Sequence, residues 1–368
     1  AGGRRGDKGA GELHQGPSAL YKALANPRLV IIGDPGAGKT TFLRWVAHTM
    51  AADRLGKKAG AARTILGLER ARLPLLLPIA EWLDYRDRLS ARNQGPALAS
   101  AAQWLPEYLG SSAQAGNQGL TRDDFLQPLK DGDALILLDG LDEAPDPSRR
   151  AQAVKLIEAL ARAYPDCPLV VTSRPAAYRD KAVLNGFSHT TIEALDPDAI
   201  HTFLSRWSQA LYPQQPGKAE AHRQALRSAL EARREIRRMA RNTVMLTALA
   251  VVHWNEKRLP EQRAELYESI IKWLSEAREQ RPGRLPAQRC RQLLGELALA
   301  MQLGAGPGDG NGQGGRVVQL PRHQGAEWIA PQVAAIPAPA DVQSGAGQVE
   351  RAEAFLAEEE LDSGILVR

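Results

Sequence analysis

The chain has 368 residues, 43% of them apolar, two cysteines and a formal net charge of +5. That length accommodates two or three domains with their own cores, and the small positive balance permits a nucleic-acid partner without indicating one. No apolar run nears the ~20 residues a bilayer span needs, the basic N-terminus Ala1-Gly-Gly-Arg-Arg lacks an apolar signal core, and Cys167 and Cys290 have no metal-ligand spacing; membrane insertion, export and a zinc fold drop out, and a reduced cytoplasmic setting is expected.

Residues 1–17 are Gly-rich and charged, and read as a linker or the edge of a longer protein; the chain begins at Ala1 without an initiator methionine and reads as a fragment. An apolar strand, Leu29–Ile32, then runs into Gly33-Asp34-Pro35-Gly36-Ala37-Gly38-Lys39-Thr40-Thr41. Glycines at 33, 36 and 38 permit positive-φ turns that bring backbone N–H groups up to phosphate oxygens, Lys39 adds a point charge and Thr40 a hydroxyl for Mg²⁺. A helix through about Met50 aims its positive end at the same place. The plain alternative is a Gly-rich loop before a helix. The apolar residues before it and Phe42, Trp45, Val46 and Met50 after it supply the strand-to-helix context of a phosphate loop.

Further strands are expected at Leu73–Ile79, Ala134–Leu138, Pro168–Thr172 and Thr190–Ile192, alternating with helical stretches, which predicts an α/β fold with a parallel sheet covered by helices on both faces. Pro74 and Pro78 cannot donate to a ladder, so the second strand lies toward an edge or is interrupted. The third strand ends at Asp139, placed to hold Mg²⁺ through water, and Asp142 and Glu143 follow as candidates to orient an attacking water. A solvated acidic turn is the alternative for these acids. The fourth strand ends in Thr172-Ser173-Arg174, whose guanidinium either reaches a γ-phosphate or is a surface arginine at a strand end.

After Asp196-Pro197, an N-cap and first-turn pair, the pattern turns helical to about Gln302, with breaks at 212–217 and 281–283. Residues 304–315 and 330–348 read as flexible loops, followed by a helix over 348–359 and an apolar end at 364–367. Arg234, Arg237, Arg238 and Arg241 form a stripe opposite Ile236, Met239 and Ala240, which reads as a solvated face or an electrostatic contact. Trp207, Trp254 and Trp273 read as core anchors, and His48, His201 and His253 are assigned no chemistry.

Taken together, Gly33 to Thr41, Leu137-Leu-Asp139-Gly-Leu-Asp-Glu-Ala-Pro145 and Val171-Thr-Ser-Arg174-Pro-Ala-Ala-Tyr178 resemble the NACHT branch of the STAND P-loop NTPases, NLR-like nucleotide switches. The small Gly140 after the aspartate, followed by Asp142-Glu143, separates this branch from other P-loop enzymes. Arg241 to Ala250 and Leu259 to Tyr267 are similar to that family's helical domain and winged-helix entry. The resemblance implies a nucleotide-binding domain over 18–195, a helical domain over 196–258 and an incomplete winged-helix domain over 259–368. It also implies ATP/ADP and Mg²⁺ as cofactors, slow hydrolysis, self-association in the ATP state, sensor and effector regions outside this chain, and a role in signal transduction or innate immunity. In the family a proline normally follows the asparagine equivalent to Asn242 and packs near adenine; Thr243 stands there here. A strand like Gly364–Val367 normally leads to a histidine that contacts the ADP β-phosphate.

Other readings differ in what they require. A processive ATPase or remodelling enzyme would turn over much faster, and Asp139-Gly-Leu-Asp-Glu143 favours the switch. A small-molecule kinase would carry an arginine-rich lid near the phosphate site, and a nucleic-acid module a concentrated basic stripe with steep salt dependence. The absence of an Asn-Lys-x-Asp sequence disfavours guanine.

Overall fold

The computed structural model describes residues 19–98, 101–144, 147–276, 285–303, 320–333 and 347–362. Contacts divide the chain into two units, Ala1–Asp196 with Asn242–Val244, and Pro197–Arg241 with Met245–Arg368.

The first unit runs β1 (Arg28–Ile32), α1 (Lys39–Arg54), α2 (Ala61–Thr64), β2 (Leu73–Pro78), α3 (Ile79–Ala91), α4 (Trp104–Ala115), α5 (Arg122–Lys130), β3 (Ala134–Asp139), α6 (Pro147–Ala163), β4 (Leu169–Ser173) and β5 (Ser188–Thr191). The strands form one five-stranded parallel sheet in the order β2-β3-β4-β1-β5. This is the α/β fold of P-loop NTPases, followed in the chain by helical regions. Parallel strands are covered on both faces, so their sequences are almost continuously apolar. Alternate residues serve opposite faces. Val30, Ile136, Leu138, Leu169 and Val171 pack with Trp82, Trp104, Leu156 and Leu160 on one side, and Leu29, Ile31, Leu135, Leu137 and Val170 pack with Leu43, Val46, Met50 and Leu66 on the other. At roughly 1.5 to 3 kcal/mol for each fully buried aliphatic side chain, these two layers are the main source of the unit's stability. The buried indoles are also satisfied: Trp82 Nε1 donates to the Trp104 carbonyl at 3.0 Å and Trp104 Nε1 to that of Leu98 at 2.9 Å.

The edge position of β2 accommodates its prolines. The Leu73 N–H donates to Asp133 O at 2.8 Å, so the nitrogens of Pro74 and Pro78, an odd number of residues along, face the open side. The first helix runs past Met50 to Arg54, and β5 is shifted from the expected 190–192 to Ser188–Thr191, where half-buried polar side chains carry little strand signal. Because β3, β4 and β1 are neighbours, their C-terminal ends bring Asp139, Arg174 and Gly33 to one rim of the sheet, where ligands of open parallel sheets sit.

The second unit contains α7 (Pro197–Leu211), α8 (Pro216–Glu231), α9 (Arg234–Met239), α10 (Thr243–Glu256, less its first two residues), α11 (Arg263–Glu276), α12 (Ala287–Leu303), α13 (Arg322–Val333) and α14 (Gln348–Asp362). Among the described residues, every element after Asp196 is helical. Leu293, Leu297, Ile329, Val333, Phe355 and Leu356 form the core of α12, α13 and α14. The predicted break at 212–217 is shorter than expected, because Pro216 takes the first position of α8 and Gly217 lies within its first turn. Residues 330–333, expected in a loop, are the last turn of α13, held by burial of Ala330 and Val333. Trp207 and Trp254 are half-buried, and α9 buries Ile236 as expected. The break at 281–283, the Gly-rich 304–315, the apolar end at 364–367 and the Trp273 side chain lie outside the described residues. Both cysteines are buried and outside any disulfide, and no described helix is long and apolar enough to cross a membrane.

Candidate nucleotide site

The loop between β1 and α1 is anchored at both ends by backbone. The Gly33 N–H donates to Ser173 O at the tip of β4 at 3.1 Å, Ala37 N–H closes a turn onto Asp34 O at 3.0 Å, and Phe42 N–H begins the helix on Gly38 O at 2.8 Å. Gly36 and Gly38 have φ of +76° and +94°, conformations that L side chains adopt only with strain. Gly38 is the N-cap of α1 and offers no side-chain acceptor, so the first N–H groups of that helix are open to an anion at its positive end. The Lys39 ammonium lies across the loop, donating to Gly33 O at 2.7 Å and Asp34 O at 3.2 Å. Burial pushes its pKa down, and Arg174 adds to that while Asp142, Asp139 and Asp34 oppose it.

On the opposite wall, Asp139 ends β3 and Gly140 turns the chain at φ +77° into a short 3₁₀ turn, Leu141–Glu143. Leu141 is fully buried and pins this turn to the core. Its two acids are placed differently. Asp142 accepts the Arg174 side-chain Nε at 2.7 Å through Oδ2 and the Arg174 backbone N–H at 3.1 Å through Oδ1. The Asp142 side chain is only 7% exposed against 49% for Arg174, so the pair is anchored at the aspartate and open at the guanidinium. Glu143 packs against Gly140, and its pKa is pushed up to about 7, first by burial and then by the charges of Asp139 and Asp142, with Arg174 and Lys39 opposing. A carboxyl titrating near neutrality at the rim of a cleft fits a group that exchanges protons with water.

The cleft so formed is lined by Pro35, Gly36, Gly38 to Thr41, Asp139, Asp142, Glu143 and Arg174, together with Gly140 and Val244. Of the candidate residues, Gly33, Asp34 and Ala37 stay out of the lining and shape the loop from behind. The residues present fit a polyphosphate with Mg²⁺: the open N–H groups of the loop, the Lys39 ammonium, the Thr40 hydroxyl and the Asp139 carboxylate belong to one cleft. Among the described residues no group of three or more Asp, Glu, His or Cys side chains is placed to hold a metal ion by itself.

Two contributors lie within the quoted motifs, which name the residues but not their partners. Thr172, fully buried on β4, donates its hydroxyl to Asp139 Oδ1 at 2.5 Å and accepts the Gly140 N–H at 2.8 Å. The only sign of this pairing in the sequence is a hydroxyl residue at the end of an otherwise apolar strand. The other is Asn242–Val244, which groups with the first unit. Asn242 Nδ2 donates to Pro35 O at 2.9 Å, the Val244 N–H approaches both Gly36 O at 3.2 Å and Asn242 Oδ1 at 3.1 Å, and the Thr243 hydroxyl lies 3.5 Å from Ala37 O. Asn242 thus caps the start of α10 with its oxygen and holds the phosphate loop with its nitrogen. The position expected beside adenine carries, in Thr243, a hydroxyl directed at the loop.

Comparison with known proteins adds one finding. Residues 106–210 match the family model for the NACHT domain. The match takes in β3 to β5, with Asp139, Gly140, Asp142, Glu143, Thr172 and Arg174, and does not reach the phosphate loop. No curated protein matches the chain. The match and the fold agree with the resemblance to NACHT-domain P-loop NTPases, and a NACHT domain implies a nucleotide-binding NTPase of the STAND type.

Proposed function

We propose that this NACHT-type P-loop unit is an adenine-nucleotide switch that binds ATP and ADP with Mg²⁺, hydrolyses ATP slowly and controls self-association of a larger signalling protein. The observation that carries this reading is the convergence, on one rim of the sheet, of the open phosphate loop, Asp139 and the Asp142–Arg174 pair. Lys39 and the N–H groups of the loop bind the polyphosphate, and Thr40 and Asp139 are the residues that would hold Mg²⁺. When bound, the metal neutralises phosphate charge. Glu143 takes a proton from the attacking water, and Arg174, held by Asp142 and half exposed, is the group on hand to meet a γ-phosphate.

Slow turnover fits the same geometry. Asp142 already engages both the side chain and the backbone of Arg174, so the guanidinium must be shared or released before it can stabilise transferred charge. The family resemblance supports self-association in the ATP state, partner sensor and effector regions beyond this chain, a cytoplasmic setting, and helical and winged-helix regions over 196–258 and 259–368.

Displacement of a fluorescent ADP analogue by ATP, ADP and GTP, together with steady-state ATP turnover, tests the reading. Adenine nucleotides should compete more strongly than GTP, with turnover far below that of a motor. Equal competition by GTP would refute the adenine preference, and fast, sustained turnover would favour a processive ATPase.

A further inference from the structure

We propose that Thr172 is a positioning residue for the Mg²⁺-holding aspartate: its one hydroxyl fixes both the carboxylate of Asp139 and the left-handed turn at Gly140. The inference rests on the nucleotide-binding reading above. Register places the residue correctly. Leu138 on β3 pairs with Val171 on β4, so the next residue on each strand, Asp139 and Thr172, stand side by side at the rim. Thr172 also pairs with Ile31 of β1, the last residue but one of the strand that enters the phosphate loop.

The direction of the hydroxyl proton is determined by its partners. An ionised carboxylate only accepts and a backbone N–H only donates, so the Thr172 O–H must point to Asp139 Oδ1, at 2.5 Å, while its oxygen receives the Gly140 N–H, at 2.8 Å. Both of its strong hydrogen bonds are therefore committed to the acidic motif. The side chain is fully buried and β-branched, which restricts χ1 and leaves the hydroxyl little freedom to turn elsewhere. With Oδ1 engaged, Oδ2 is the Asp139 oxygen left for a metal, and the rotamer is set beforehand. The same hydroxyl oxygen accepts the amide of Gly140, the residue against which Glu143 packs, so one hydroxyl supports both the metal-holding acid and the proposed base.

A hydroxyl that merely satisfied buried groups would affect stability and all nucleotide binding alike, whereas a positioning hydroxyl acts on the metal-dependent part. The test measures affinity of the chain for a fluorescent ATP analogue in EDTA and in Mg²⁺, and takes the ratio as the gain from the metal. Thr172→Val keeps the shape and removes the hydroxyl; Thr172→Ser keeps the hydroxyl. Thr172→Val should cut the Mg²⁺ gain about ten- to a hundredfold while leaving EDTA affinity unchanged, and Thr172→Ser should keep most of the gain. An undiminished gain in Thr172→Val, or an equal loss in EDTA and Mg²⁺, would overturn the proposal. A gain lost in Thr172→Ser as fully as in Thr172→Val would also overturn it. If the unsubstituted chain binds no nucleotide in either condition, the nucleotide reading fails and this inference with it, a result visible without any substitution.

Discussion

Gly140 and Glu143 are in close contact: a methyl group at Gly140 would fall 2.6 Å from the carboxyl carbon of Glu143. The φ of +77° at Gly140 makes the same demand independently, since a Cβ in that conformation is strained. The small residue that follows Asp139 therefore does two things, turning the chain and leaving room for the acid.

Gly140→Ala should displace the Glu143 carboxyl and lower single-turnover ATP hydrolysis at least tenfold. The strained φ should cost about 1 to 2 kcal/mol of stability. Rapid-quench measurement with a parallel thermal melt checks both, and ADP affinity, set by the loop on the other wall, should change little.

Glu143 gives a pH dependence of definite sign. Its carboxyl has a pKa raised to about 7 in the folded chain, so the folded state keeps a proton that the unfolded state has released. Stability from this group is present below the ordinary glutamate value and is lost as pH rises through about 7. Hydrolysis should move the opposite way, rising with pH as the carboxylate forms. Glu143→Gln should abolish most hydrolysis, retain bound triphosphate and flatten the change in melting temperature between pH 5 and 8. A Gln variant that hydrolyses at the unsubstituted rate would transfer the role to another group.

Much of the fold was legible because the sheet is buried on both faces, which leaves four apolar runs bracketed by polar residues and a glycine loop set between a strand and a helix. The register that puts Thr172 beside Asp139 was not legible, since strand order is a long-range property and the motif Val171-Thr-Ser-Arg174 does not name the partner of its threonine. Nor was the hold of Asn242 on Pro35, which joins residues more than two hundred positions apart. The acidic motif was readable as a group, but only the geometry separates Asp142, paired with Arg174, from Glu143, packed on Gly140.

Asn242→Ala should loosen the phosphate loop. It removes the bond to Pro35 O and the cap on Val244, and a lost N-cap costs about 1 kcal/mol. Release of a fluorescent ADP analogue should quicken roughly fivefold in stopped flow. Gly36→Ala is expected to do the same from the other side, since its Cβ would fall 2.8 Å from Asn242 Oδ1 at a φ of +76°.

The second unit should weaken in acid. His222 on α8 and His253 on α10 are buried edge-to-face, with ring centroids 5.7 Å apart, beside Tyr212, Trp254 and Ser208, whose hydroxyl lies 2.9 Å from His222 Nδ1. Among the described residues, His222 Nε2 and His253 Nδ1 are buried with no hydrogen-bond partner. Burial lowers both pKa values, with Lys257 adding to each and His222 to that of His253. The unfolded state then takes up protons first, so stability is full above the ordinary histidine value of about 6.5 and falls as pH drops below it. Thermal melts at pH 7.5 and 5.5 should show this fall, and His253→Phe should reduce it.

The most direct test of nucleotide binding at the loop is calorimetric titration of ATP with Mg²⁺ into the unsubstituted chain and into Lys39→Ala. A charge-assisted contact to the polyphosphate, worth about 1.5 to 3 kcal/mol, predicts a roughly ten- to hundredfold loss of affinity in the variant. Equal affinity in the two proteins would contradict the assignment of this loop as the phosphate site.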